Sequence, residues 1–345
     1  MRDPPSADGA AAVTGAPLRR MLAAMLLGVV VYGGFAVWRG LGKMGTELAR
    51  FGWWAMALAC ALALGNYLVR WLKWEFYLAR LGIRHIARAD SLLTFLSGFV
   101  LTVTPGKVGE VFKSLVLHET HGVPVERTAP IVLAERLTDV IGVVVLIVVG
   151  SAGFAGGLLW AGLGTTAVLV VLGTVASRKT AHAVIRLIEK IPGRLAGIGP
   201  RLHTAYDSLA VLLRPSNLLV PTVLSIAAWF LECTALWIIL RGLGQTTSLG
   251  LATFFYATST LAGALVPVPG GLGVTETSLL EQLQSLGRVP ATASTAAMIL
   301  VRFATLWFAV LVGFLALSLL KRRYPGLLSG TSRSPKRPIQ AVSVE

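Results

Sequence analysis

Charge is scarce in this chain of 345 residues: Asp, Glu, Lys and Arg make up 14% of it against 55% hydrophobic residues, and the mean hydropathy is +0.73. That balance excludes an ordinary soluble domain and leaves a polytopic membrane protein. Acidic residues are scarcest, 16 against 31 Lys and Arg, for a net charge of +15. No basic surface interleaved with aromatics accompanies the excess, so nucleic acid is not expected as a partner; topology explains the charge better. There are only two cysteines, Cys60 and Cys233, both in apolar stretches. They read as small core residues and indicate neither a disulfide framework nor metal spacing. The few aspartates form no D-x-x-D pair and no nucleotide-binding loop is present, while His203 and Asp207, four apart, read as a helix-surface pair. These gaps count against lipid phosphotransfer and ATP-driven transport. His118 and His121 lack a third ligand, so no metal and no cofactor is expected.

What the chain has is long apolar runs. Six can cross a core of about 30 Å: roughly 19–38, 53–79, 128–150, 157–176, 218–240 and 293–319. The fold class expected is all-α, an integral membrane protein of about six spanning helices. Residues 1–17 and 324–345 cannot bury enough apolar surface to fold alone and are expected to be disordered tails around a membrane domain over 18–323. With the N-terminus inside, the cytoplasmic segments hold 22 of the Lys and Arg and the outer ones only five, Arg39, Lys43, Arg50, Arg241 and Arg288. This predicts both termini in the cytoplasm. The basic segment 177–216 reads either as a helix lying on anionic lipid or as a solvated loop.

Two stretches break the grammar of a membrane helix in the same way, Thr104 to Glu110 (TPGKVGE) and Val268 to Glu276 (VPGGLGVTE). Proline cannot continue a running helix but is well placed at a first helical position, so each Pro-Gly is expected to start a half-helix. Lipid cannot satisfy the exposed N–H groups of such a start, which must therefore be buried in protein or line a polar cavity. Each break fits a re-entrant hairpin; the alternative, a pair of tilted crossings, makes eight segments of the six spans plus two hairpins.

The breaks are related. Pro105, Gly106 and Gly109 recur 164 residues later as Pro269, Gly270 and Gly273, while Glu110, Val123, Pro124 and Arg136 recur 166 later as Glu276, Val289, Pro290 and Arg302. Two halves of opposite orientation follow, about 18–150 and 157–320, with segment 177–216 inside the second. Interrupted segments at matching places in inverted halves point to a transporter with its site near the midplane.

Lys107 lies in the first turn of the first half-helix, where the dipole is also positive, so a phosphate is the natural ligand of Pro105, Gly106, Lys107 and Gly109; the second copy offers Pro269, Gly270, Gly271 and Gly273 without a cation. Arg136 and Arg302 need partners in hydrocarbon, and Glu110 and Glu276 are the candidates, with Glu135 and Asp139 close to Arg136. These groups, with Arg70 and Glu232, form the expected polar path or gate. Lys73 and Glu75 are expected to snorkel to the cytoplasmic interface, and Lys113 to approach an interface.

With Glu135-Arg136-Leu137-Thr138-Asp139 after the first break and Pro267 to Glu276 at the second, the chain resembles the flippase-like membrane domain family, also called the lysylphosphatidylglycerol synthase transmembrane region, over about residues 19–320. The resemblance implies movement of a lipid headgroup between the leaflets of a bacterial inner membrane. The soluble aminoacyl-transferase domain of the fused members has no counterpart in the short tail after the last span, so no enzyme activity is expected. The expected partners are a membrane phospholipid or other anionic lipid and, as a further possibility, a lipid biosynthetic enzyme. Two alternatives to a transporter stay open: a membrane-embedded lipid-modifying transferase, and a non-transporting accessory to a lipid enzyme.

Overall fold

The structure, a computed structural model, describes residues 45–102, 110–152, 199–266 and 268–328, with isolated positions at Leu159, Gly162 and Thr166. The expected span 19–38, nearly all of 157–176, residues 177–198 and the motif residues Thr104 to Gly109 lie outside the described residues, as do 1–17 and 329–345. The described residues are helical, without strands.

One order of elements occurs twice. A long helix α1 (Trp53–Arg80) is followed by two short helices, α2 (Arg88–Ser97) and α3 (Phe112–His121), then by the long α4 (Val125–Ser151). After α5 (Gly199–Leu212), the long α6 (Pro215–Gly242) is followed by α7 (Leu249–Leu265) and α8 (Val274–Ser285). Then α9 (Ala291–Arg302) runs through a π turn, Phe303–Trp307, into α10 (Phe308–Arg323). Proline sets two of the starts: Pro124 and Pro290 are the N-caps of α4 and α9, each behind a buried valine, Val123 and Val289.

Among the described residues three helices are long and apolar enough to cross a membrane, Trp53–Arg80, Pro215–Gly242 and Ala291–Arg323. The fourth long helix, α4, has 27 residues but carries Glu135, Arg136 and Asp139 in its middle. That concentration of charge separates it from an ordinary span.

Helices α1 and α6 pack antiparallel. The start of α1 meets the end of α6, where the Gly52 N–H donates to the Gly242 carbonyl at 3.0 Å; midway, Asn66 Nδ2 donates to the Ala228 carbonyl at 2.7 Å. Small residues permit the approach: Ala55, Ala59 and Ala63 recur every four residues on one face of α1 and are fully buried. Close backbone contact of this kind is what holds helices together in lipid, where apolar burial supplies little drive. Two more crossings depend on glycine. A Cβ on Gly150 of α4 would lie 2.8 Å from the Gly250 carbonyl of α7, and one on Gly313 of α10 would lie 2.6 Å from the Val100 nitrogen beyond α2.

The bundle has two dissimilar ends. At one, Asp90 of α2 meets Arg323 of α10, and Arg127 donates to the Leu81 carbonyl at 2.5 Å. At the other, residues 47–52 meet Gly242 and Thr292. Basic residues gather at the first end, with Arg80, Arg84, Arg88, Arg127, Arg214 and Arg323 on its turns and helix ends. The chain beyond α10 is ordered further than composition suggests. Leu327 is buried among Val100, Leu101, Phe112 and Val116, and the Leu328 N–H donates to Glu119 Oε2 at 2.8 Å, so Tyr324 to Leu328 belong to the packed body and not to a tail. Likewise α5, inside the segment read as lipid-lying helix or loop, packs on α4 with Leu212 fully buried.

Candidate functional site

The two arginines lie at matching depth. Arg136 and Arg302 are each eleven residues beyond the first residue of their helices, α4 and α9, which at 1.5 Å per residue is about 17 Å from one end. Each pairs with a glutamate 26 positions earlier. Arg136 Nη2 donates to both oxygens of Glu110, at 3.0 and 2.8 Å. Arg302 Nε lies 2.6 Å from Glu276 Oε1, and its Nη2 donates to the Gly270 carbonyl at 2.9 Å. The approach of Arg302 Nε to Glu276 Oε1 is an ion contact, and the hydrogen bond of this arginine goes to the Gly270 carbonyl.

The first pair belongs to a larger network. Arg70 of α1 reaches Glu110 Oε1 at 3.8 Å and sits over the Phe99 ring. Asp139 lies 3.3 Å from Arg136 and accepts from Lys73 Nζ at 2.5 Å. Ser225 of α6 accepts from Lys73 at 2.8 Å and donates to Asp139 at 3.0 Å. Arg70, Glu110, Arg136, Asp139 and Lys73 thus alternate in sign through the middle of the bundle. Lys73 is only 1% exposed, so it does not snorkel; it is a buried partner of the site, as nothing in its position along α1 announces. Lys113 also departs from its expected place at an interface: it is buried, bonds to Glu135 Oε2 at 2.5 Å and lies over the Trp74 ring. Glu135 is thus the partner of Lys113, while Asp139 is the carboxylate on α4 in ion contact with Arg136. Glu75, expected at the interface, accepts from Ser91 Oγ.

The second break differs from its expected form. Pro269 does not start a helix: Pro269–Gly271 make one short 3-10 turn, and α8 begins at Val274. The reason is local. Gly270, Gly271 and Gly273 hold φ of 61°, 68° and 87°, left-handed values that glycine adopts freely and that do not propagate a helix. Glu276, three residues into α8, accepts from the Gly273 N–H at 2.6 Å and so covers part of the helix start itself. Of the first break only Glu110 is described; Pro105, Gly106, Lys107 and Gly109 lie outside the described residues.

Two cavities flank the second break. One, of about 120 Å³, is bounded by Arg136, Asp139, Val140, Val143 and the α7–α8 connection. The other, of about 80 Å³, is bounded by Tyr67, Arg70, Glu232, Tyr256 and Arg302. Trp229, Gly263, Gly270 and Gly271 border both. Arg70 and Glu232, both expected on the polar path, border the second one together, and Glu232 Oε2 accepts from Tyr256 at 2.7 Å. The π turn widens α9 just after Arg302 and brings Thr305 and Leu306 to this wall. Such turns recur at functional sites, and no residue pattern at 303–307 signals this one.

The sequence pattern of the lysylphosphatidylglycerol synthase TM region matches residues 25–313. A UPF0104 membrane protein of Methanothermobacter thermautotrophicus is 22% identical over 293 residues, covering 80% of this chain and 86% of the relative. The chain belongs to the lysylphosphatidylglycerol synthase TM region family and is an integral membrane protein.

Proposed function

We propose that the chain is a lipid flippase-like transporter, moving an anionic or phosphate-bearing headgroup between membrane leaflets. One observation carries the reading: two arginine–glutamate pairs with the same 26-residue separation sit at equal depth beside a shared pair of cavities at a broken helix. Glue alone requires no cavity. Two adjoining cavities, one bordered by Arg136 and the other by Arg70 and Arg302, offer a phosphate positive charge on both sides of the break.

In this reading the antiparallel α1 and α6 are the cores of two inverted halves, α2–α3 and α7–α8 are re-entrant hairpins, and Arg136–Glu110 and Arg302–Glu276 are alternately opened gates. Pro105, Gly106, Lys107 and Gly109 hold the phosphate from the first half, and Pro269, Gly270, Gly271 and Gly273 approach it from the second. The end rich in arginine faces the cytoplasm, and the membrane is the bacterial inner membrane. Chemistry on the lipid is assigned to other proteins, a lipid biosynthetic enzyme being the partner that supplies the cargo.

The test is transport by purified protein in proteoliposomes, with fluorescent phosphatidylglycerol quenched from outside. Wild type exposes inner-leaflet lipid to the quencher. Glu110→Gln and Arg136→Gln slow exchange roughly tenfold or more, the factor given by about 1.4 kcal/mol of lost interaction. Unchanged exchange in both variants would refute the proposed path.

A further inference from the structure

The two cavities at the second break differ in character although they share walls. The larger is mostly apolar: Val140, Val143, Leu261, Val266 and Val268 line it, and among the described residues its charged borders are Arg136 and Asp139. Its rim reaches the outside of the bundle, where Leu265 is 68% exposed and Val266 40% exposed. The smaller holds the polar groups, with Arg70, Glu232, Tyr256, Arg302 and Thr305 around it. The partition common to both is made of Trp229, Thr260, Gly263, Ala264, Gly270 and Gly271. There is little room to thicken it, since a Cβ on Gly263 would stand 2.0 Å from Thr275 Oγ1.

The apolar track is laid out in register with the arginine. Arg136, Val140 and Val143 stand at i, i+4 and i+7, one face of α4. The same face of the second long helix, Arg302, Leu306 and Ala309, each 166 residues on, borders the polar cavity. In both halves, then, an arginine leads into an apolar strip, and the strips run toward opposite ends of the bundle because α4 and the helix from Ala291 start at opposite ends. A water-soluble anion gains nothing from such a strip. A lipid gains on both sides of the partition, with its phosphate beside arginine and its chain against valine.

We propose that the adjoining cavities are one amphiphile site. The polar cavity holds the headgroup, and the apolar cavity holds the first part of one acyl chain, which leaves past Val266 into the bilayer. The site therefore recognises a whole lipid and not a free phosphate. This rests on the transporter reading only for the phosphate in the head; occupation of the chain cavity is a separate statement with its own measurement.

Phosphatidylglycerol carrying a photoreactive diazirine, either in the acyl chain near the glycerol or in the headgroup, is incorporated with the protein into liposomes, illuminated, and the adducts mapped by mass spectrometry. The chain probe is expected to label Val140, Val143 or Leu261 several-fold more densely than the lipid-exposed Leu64 and Leu68 of α1, and the head probe to label segments containing Arg70, Glu232 or Arg302. Val140→Trp and Leu261→Trp, at partly buried positions, are expected to remove the chain labelling while leaving labelling at Leu64 and Leu68. Chain labelling no denser at α4 than at α1 overturns the proposal, as does full competition of head labelling by water-soluble glycerophosphoglycerol at the concentration of the lipid. Exchange of lipid without cavity labelling sinks the amphiphile site and leaves the transporter standing. Cavity labelling without exchange does the reverse.

Discussion

Lys73 offers the sharpest energetic test, because its Nζ has lost water and kept two partners, Asp139 at 2.5 Å and Ser225 at 2.8 Å. Removing one member of a buried pair leaves the other uncompensated, typically at about 3 to 5 kcal/mol. The two single changes should not be equal. Lys73→Met leaves the Asp139 carboxylate with Ser225 at 3.0 Å and Arg136 at 3.3 Å, so its cost belongs near 3 kcal/mol, the lower end of that range. Asp139→Leu leaves the ammonium with the Ser225 hydroxyl, and also strips a carboxylate from Arg136, so its cost belongs at or above 4 kcal/mol, about the upper end. The double variant replaces a pair with apolar side chains and should recover about 2 kcal/mol or more of the summed losses, a coupling typical of residues in one network. Reversible unfolding in mixed micelles of rising SDS content measures all three. Single losses below about 0.5 kcal/mol, or strictly additive ones, would show that the buried pair does not organise the site.

The remaining expectations are more local. Gly313→Ala should abolish monodisperse purification or cost about 3 kcal/mol, since its Cβ would press on the backbone at Val100 and Phe99, whereas Gly326→Ala, with open space around it, should purify as wild type. Gly271→Ala should destabilise by about 1 to 2 kcal/mol through its left-handed φ and the nearby Thr275, and should slow lipid exchange along with it. Arg302→Lys keeps the charge but cannot hold Glu276 and the Gly270 carbonyl together from one fork, so exchange should fall several-fold with little change in expression. At the arginine-rich end, burial pushes the His121 imidazole below its usual range, with His85 acting in the same sense and Asp90 against it. A histidine held low when folded stabilises above its unfolded value of about 6.5 and loses that contribution as pH falls through the folded value. The Tyr324 ring packs on His121 while its hydroxyl and Arg323 bond to Asp90, so hydrogen exchange at Tyr324 to Leu328, corrected for intrinsic rate, should speed up below about pH 6.5 and lose that dependence in His121→Gln.

What the sequence made legible was whatever is forced by chain geometry. Pro124 and Pro290 mark real helix starts, and matching Arg136 with Glu110 and Arg302 with Glu276 needed only the recurrence at 166 residues and the cost of a lone charge in hydrocarbon. What escaped was whatever depends on rotation about a helix axis. Lys73 and Arg70 are three residues apart on α1, and depth along the helix placed Lys73 near an interface; only packing against α6 shows that it points inward to Asp139. Lys113 was misplaced for the same reason. The break at Pro269 was found from its residues but its form was not, because three glycines can be read equally as a helix start or as left-handed backbone, and tertiary contacts choose the latter.

Sorting the mid-bundle charges by half gives the broken symmetry a physical consequence. Among the described residues, Arg70, Lys73, Lys113 and Arg136 of the first half face Glu110, Glu135 and Asp139, one positive charge in excess. In the second half Arg302 faces Glu276, while Glu232 accepts from Tyr256 and borders the same cavity as Arg70. In the transport reading, opening that cavity works against the attraction between Arg70 and Glu232 across it. An anionic headgroup entering beside Arg70 then competes with Glu232 and weakens that attraction. A ligand with differential affinity for the open arrangement is what a population shift requires. It follows that Glu232→Gln, which removes the acidic side of that attraction in advance, should weaken the dependence of opening on anionic lipid. Distances between spin labels on α1 and α6, measured in liposomes with and without phosphatidylglycerol, should then separate the variant from wild type; an unchanged lipid response would rule out that attraction as the coupling.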